Sequence, residues 1–203
     1  MKPARFRLPP ALLLMVVTLL LTGCYLPVRF DAEIEITRYG TYKMIFDGYI
    51  VALPLYDGLR KNEIKPAEER QKVEVLRRDL TRDKATKRAS YLRNGIFNVH
   101  WEMSGDLTED PMVTFLRRNQ AFLTIKFLRT TGEVTVEAVS VSNDQAQRLT
   151  AMGLGMEGQI RIKTQARVID NNADRISEDL DRFYIWDIRG LNTPTPRMVL
   201  SLR

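Results

Sequence analysis

The chain changes character at Cys24. An apolar run from Ala11 to Leu21 follows a stretch carrying Lys2, Arg5 and Arg7, whereas beyond Cys24 apolar and polar residues alternate. The run has the length of a signal-peptide core and falls well short of the ~20 residues that cross a bilayer. Residues 1–23 are therefore read as a leader that takes no part in the fold. What remains is long enough for one domain with a sizeable core. Cys24 is the only cysteine, so once it is modified no thiol is left for a disulfide or a thiolate metal site.

Leu21-Thr22-Gly23-Cys24 resembles the lipobox of bacterial lipoprotein precursors. The resemblance implies a diacylglyceryl group on the Cys24 thiol, cleavage before Cys24 and acylation of the new amino end. At ~0.8 kcal/mol per buried CH₂, several acyl chains hold a domain on a membrane without a spanning helix. Tyr25 stands where Gram-negative retention signals carry Asp. The expected location is thus the bacterial cell envelope, extracytoplasmic and lipid-anchored, on the periplasmic side of the outer membrane if the source is Gram-negative.

Three of the 31 Lys and Arg residues and none of the 25 acidic ones precede Cys24, so the remainder carries +3 against +6 for the whole chain. Nucleic-acid binding normally brings a concentrated basic stripe and a strongly basic domain, and none is expected here.

Residues 24–29 are read as a short tether and 30–203 as a single globular domain. Phe30, Ala32, Ile34 and Ile36 alternate with acidic residues and Thr37, then Arg38-Tyr39-Gly40 turns into Tyr42, Met44 and Phe46, which predicts a hairpin. Tyr49 to Leu59 fits a short helix or a loop. Pro66 to Lys84 reads as a surface helix, with Glu68 and Glu69 early, basic residues late, and Val73, Leu76 and Leu80 as its apolar stripe.

Ala89–Leu92 and Ile96–Ser104 flank Arg93-Asn94-Gly95, a strong hairpin signal. In the second strand Phe97, Val99, Trp101 and Met103 share the inner face, while His100 and Glu102 face outward. Leu123–Phe127 and Val134–Val136 form another hairpin, and the phase slip to Val139 and Val141 reads as a β-bulge. Asp144 is the expected cap of a short helix that ends at Gly153. From Ile160 to Val168 the alternation puts Arg161, Lys163 and Arg167 on one wet face.

Two motifs are weighed and set aside. Gly153-Leu154-Gly155-Met156-Glu157-Gly158 matches a dinucleotide fingerprint, but a helix precedes it and a strand follows, the reverse of what pyrophosphate binding needs. Asp170 to Asp181 imitates a calcium loop with Asp170, Asn172, Asp174, Glu178 and Asp181 as oxygens. Arg175 stands where that loop needs Gly, so a turn is expected and no metal or cofactor is assigned. One histidine and the lack of G-x-S-x-G leave no nucleophile–base set, so enzymatic activity is not expected.

Together with the lipobox, the early hairpin and the runs Gly158-Gln159-Ile160, Asn172-Ala173-Asp174 and Tyr184-Ile185-Trp186-Asp187 resemble LppM-type bacterial lipoproteins. The resemblance implies an α+β envelope domain associated with lipid or glycolipid. The expected architecture is a curved, mainly antiparallel sheet covered on one face by one long and one or two short helices. The expected function is binding or sensing of a lipid or other apolar ligand, with Trp101, Met103, Phe127, Tyr184 and Trp186 as candidate lining residues. The alternative is an interaction protein of an envelope assembly, docking through Arg161, Lys163 and Arg167.

Overall fold

A computed structural model describes residues 25–115, 122–177 and 181–203. The lipobox residues Leu21, Thr22, Gly23 and Cys24, and Glu178 of the calcium-like loop, lie outside the described residues.

The architecture is α+β. Strands β1 (Tyr25–Ile36) and β2 (Thr41–Ala52) form the predicted hairpin, and Gly40 takes the left-handed conformation its turn requires, at φ 90°. Residues 25–29, expected to be a tether, are already strand: Tyr25 pairs with Ala52. The stretch from Tyr49 to Leu59, expected as a short helix or a loop, is strand as far as Ala52 and helix α1 (Leu53–Arg60) beyond it, and α2 (Pro66–Thr81) carries Val73 and Leu80 buried beneath it. Both helices have Pro in the first turn, where no backbone donor is lost.

Strands β3 (Thr86–Arg93) and β4 (Ile96–Asp106) turn at Asn94 and Gly95, both at positive φ (50° and 74°), as a two-residue hairpin loop demands. Next come β5 (Met112–Phe115), β6 (Leu123–Leu128), β7 (Glu133–Ala138) and α3 (Asn143–Ala151). The chain closes with β8 (Glu157–Thr164), β9 (Arg167–Asn171), β10 (Arg175–Ile176), β11 (Phe183–Ile188) and β12 (Arg197–Ser201).

These strands divide between two sheets. The larger has the order β10-β11-β8-β1-β2-β4-β3 and the smaller β5-β6-β7-β12-β9. All pairings are antiparallel except β1 with β8, which run parallel from Arg29 beside Glu157 to Ile36 beside Thr164. The inner face of the larger sheet is therefore shared between the helices and a second sheet. An aromatic cluster joins the two: Phe46 stacks on Phe115 with centroids 4.2 Å apart, Trp101 lies 5.2 Å from Phe115, and Phe30 meets Phe122 edge-on at 5.0 Å. Such pairs add about 0.5–1.5 kcal/mol each beyond the apolar area they bury.

Three expectations are corrected in detail. The phase slip after Val136 is the end of a strand rather than a bulge, since β7 stops at Ala138 and Val139 is exposed. The cap of α3 is Ser142, whose side chain accepts from the Gln145 amide while Gln145 reaches back to the Ser142 amide. Finally, the strand expected over Ile160–Val168 breaks after Thr164, and its continuation, β9, belongs to the other sheet.

Candidate functional site: a cleft at the end of the larger sheet where β1 begins

Phe30 on β1 lies opposite Gly48 of β2 on one side and Gly158 of β8 on the other. A Cβ on Gly48 would stand 2.4 Å from the Arg29 carbonyl oxygen and 2.6 Å from Phe30 Cα, and one on Gly158 would stand 2.3 Å from the Phe30 carbonyl oxygen. Two glycines thus admit an approach that no side chain allows, and the register shift between Pro27 and Arg29 adds an irregularity at the same place.

Beyond this line the ends of β1, β2, β3, β4, β8 and β11 surround an open cleft of about 960 Å³. Val28, Val51, Ile96, Leu154, Met156 and Ile188 give it an apolar lining, while Arg29, Arg93, Arg189, Glu157 and Asp187 supply charge.

Its wall is held by local chemistry. Helix α3 ends in a left-handed Gly153 (φ 79°), with the Gly153 amide donating to the Thr150 carbonyl and the Leu154 amide to the Leu149 carbonyl, both at 2.9 Å. This double capping turns the chain into the cleft and buries Leu154. Tyr56 of α1 donates its hydroxyl to the Met152 carbonyl at 3.0 Å, and its backbone sits against Gly95, so α1, α3 and the β3–β4 turn are fastened together. The rejected dinucleotide motif therefore has two structural uses, a helix cap at Gly153 and a close strand contact at Gly158.

Among the described residues Arg29 and Arg93 are exposed and take no ion pair, whereas Arg189 reaches Asp187 at 3.7 Å. Asp187 is already engaged by Arg175 at 3.0 Å and by the Gln159 amide at 2.9 Å. The cleft thus combines apolar surface with uncompensated positive charge.

The residues expected to line a ligand site are elsewhere. Trp101 and Trp186 are 2 % exposed, their indole N–H groups bonded to Asp83 and to Asn172, each at 2.9 Å. Tyr184 is buried, and Met103 and Phe127 pack partly buried against the same core. None of the five borders the cleft. Two voids beside the core, one of them bordered by Trp101, measure about 10 Å³ each, too small for a ligand.

Of the three cations expected on one face, Arg161 and Lys163 share β8 and only Arg167 is separated from them. Arg161 pairs with Glu33 at 3.0 Å and Lys163 with Asp181 at 2.7 Å, while Arg167 lies on β9 of the smaller sheet. The hydrogen bond to Asp181 holds the Lys163 ammonium above its ordinary pKa. On the same outer surface His100 Nδ1 meets Asp47 at 2.8 Å rather than Glu102. Glu102 pairs with Lys43 at 3.0 Å, whose hydrogen bond and charge hold the Glu102 carboxyl below its usual range.

The calcium-like loop is a hydrogen-bonded turn. Asn172 Oδ1 accepts from Trp186 Nε1 and from the Arg197 amide, Asp174 accepts from the Asp187 amide, and Asp170 pairs with Arg197. Asp170, Asn172 and Asp174 are thus committed to joining β9, β11 and β12, and Asp181 to Lys163 of β8.

Sequence reading missed Arg29, Arg93 and Arg189. Arg29 follows the register shift inside β1, Arg93 ends β3 beside the Asn94-Gly95 turn and Arg189 follows β11 beside Gly190, a grouping that is readable only once the strand order is known.

No protein-family model matches the chain, and no curated protein matches it in sequence. Among solved structures it is similar to the NMR structure of the folded domain of the Mycobacterium tuberculosis LppM protein. The likeness has a TM-score of 0.45 and 14% identity and covers 88% of this chain and 91% of that one. It carries no residue roles across. No helix among the described residues is long and apolar enough to cross a membrane.

Proposed function

We propose that this chain is a membrane-anchored bacterial lipoprotein of the cell envelope, whose extracytoplasmic domain binds or senses a lipid or other apolar ligand at the cleft, without catalysing a reaction. The observation that carries this reading is the cleft itself. Its volume of about 960 Å³ matches small-molecule sites, and its apolar lining with a few charged groups is the usual composition of such sites. The lipobox at Cys24 supplies the anchor and directly precedes the first strand. Docking to a protein through Arg161, Lys163 and Arg167 has less support, because two of these charges are already paired and the third lies on the other sheet.

Native mass spectrometry of the purified chain, expressed with cell lipids present, tests the proposal. The expected result is a co-purifying apolar ligand that exchanges with added lipid and is lost in Val28→Glu, which puts a carboxylate into the lining. A chain that never carries an exchangeable ligand, or a Val28→Glu variant that carries it unchanged, would remove the cleft as the site.

A further inference from the structure

The amino-terminal strand fixes where the anchor meets the domain. β1 begins at Tyr25, and its fourth and fifth residues, Val28 and Arg29, already line the cleft. At no more than ~3.6 Å per residue, the Arg29 backbone lies within about 18 Å of Cys24. The opposite end of the β1–β2 hairpin carries Tyr39, 67 % exposed, and stands about 40 Å away along a twelve-residue strand.

Two observations mark the cleft end chemically. Leu92, at the tip of the β3–β4 hairpin, is 57 % exposed and borders the cleft beside Arg93. Arg29, Arg93 and Arg189 add three exposed cations to the same margin, against the carboxylates of Glu157 and Asp187, the latter already engaged by Arg175. An exposed leucine next to arginines at the end of a domain suits a membrane interface, where the apolar side chain enters the acyl boundary and the guanidinium groups meet phosphate.

We infer that the cleft end of the larger sheet rests on an anionic bilayer surface, with Leu92 in the headgroup–acyl boundary and Arg29, Arg93 and Arg189 against lipid phosphates. The inference rests on the reading of Cys24 as the anchor, since that residue brings this end to the membrane. The cleft then opens toward the lipid, so an amphiphile can pass between bilayer and cleft without crossing bulk water.

The test uses the acylated chain purified from membranes and reconstituted in phosphatidylcholine–phosphatidylglycerol vesicles with brominated acyl chains. Leu92→Trp and Tyr39→Trp each place one indole on an exposed site that the fold does not need, while the native Trp101 and Trp186 are buried and give a constant background. The expected result is a blue shift and loss of most of the added emission for Leu92→Trp, with none for Tyr39→Trp. Adding Arg29→Gln, Arg93→Gln and Arg189→Gln to Leu92→Trp should weaken the quenching.

An unquenched Leu92→Trp overturns the inference, whether it stays open to aqueous acrylamide or is shielded by a protein partner. Equal quenching at Tyr39→Trp also overturns it, and full quenching in the arginine variant overturns the phosphate contact. The intact mass of the amino-terminal peptide reports acylation, and native mass spectrometry reports ligand, so failure of the functional proposal is read separately from failure of this orientation.

Discussion

Phe30 has a glycine on either side, and that pairing is the tightest backbone approach by the cleft. Gly158→Ala must push β8 away from β1 or displace the Phe30 ring. It is expected to cost about 2–3 kcal/mol, read as a lowered urea midpoint. Asn172 is a second residue whose single oxygen serves two donors. Asn172→Ala leaves the buried Trp186 indole N–H without its acceptor, and a loss of about 1–3 kcal/mol with a shift in Trp186 emission is expected. Period-two alternation showed which side of β1 faces inward, because burial on one face imposes it. It could not show that Gly48 and Gly158 meet across Phe30, since strand partnership over that distance leaves no local trace. Gly158, which matches the last glycine of a dinucleotide fingerprint in sequence, proves to be a strand contact in space.

Helix α3 shows how far local chemistry reaches. Its end at Gly153 was legible, because a left-handed cap leaves a glycine, but its start was assigned to Asp144 when Ser142 and Gln145 form the capping box. Ser142→Ala should lower stability by about 1 kcal/mol in a denaturant titration. Strand β8 shows the limit: alternation continues through Gln165 and Ala166 although the chain there leaves one sheet for the other, so Arg167 keeps the phase of Arg161 without sharing its surface. Charge on the elements also predicts a pH response. Hydrogen bonds from Lys61 and Arg60 to Asp57, from Arg77 to Glu74, from Lys43 to Glu102 and from Thr108 to Asp106 hold these carboxyls below their ordinary values. Each favours the folded state above the unfolded carboxylate pKa of about 4, and that contribution disappears as pH falls through the lowered folded value. The urea midpoint is therefore expected to decline on acidification through this window, with a shallower decline in Glu102→Gln.

For the molecule as a whole, the α+β class was legible from alternation and one long amphipathic helix, whereas the cleft was not. Its lining comes from six strand ends and the α3–β8 turn, so its residues are neighbours only after the larger sheet has been assembled. The large aromatics chosen from sequence as ligand contacts fill the space between the sheets instead, as large apolar side chains in alternating strands generally do. Cys24→Ser is expected to abolish incorporation of labelled palmitate while leaving an uncut precursor, as mass spectrometry of the amino-terminal peptide would show. The order of the strands has a consequence for folding. β1 and β2 are neighbours in the chain, but the other partner of β1, β8, lies 128 residues further along, as the Arg161–Glu33 contact marks. Until β8 docks, a long strand stands with one open edge, the arrangement that invites pairing with a neighbouring chain and aggregation. Asp31, Glu33 and Glu35 give that strand a row of like charge, the kind of feature that disfavours such pairing, and Arg161 of β8 then gives Glu33 its partner.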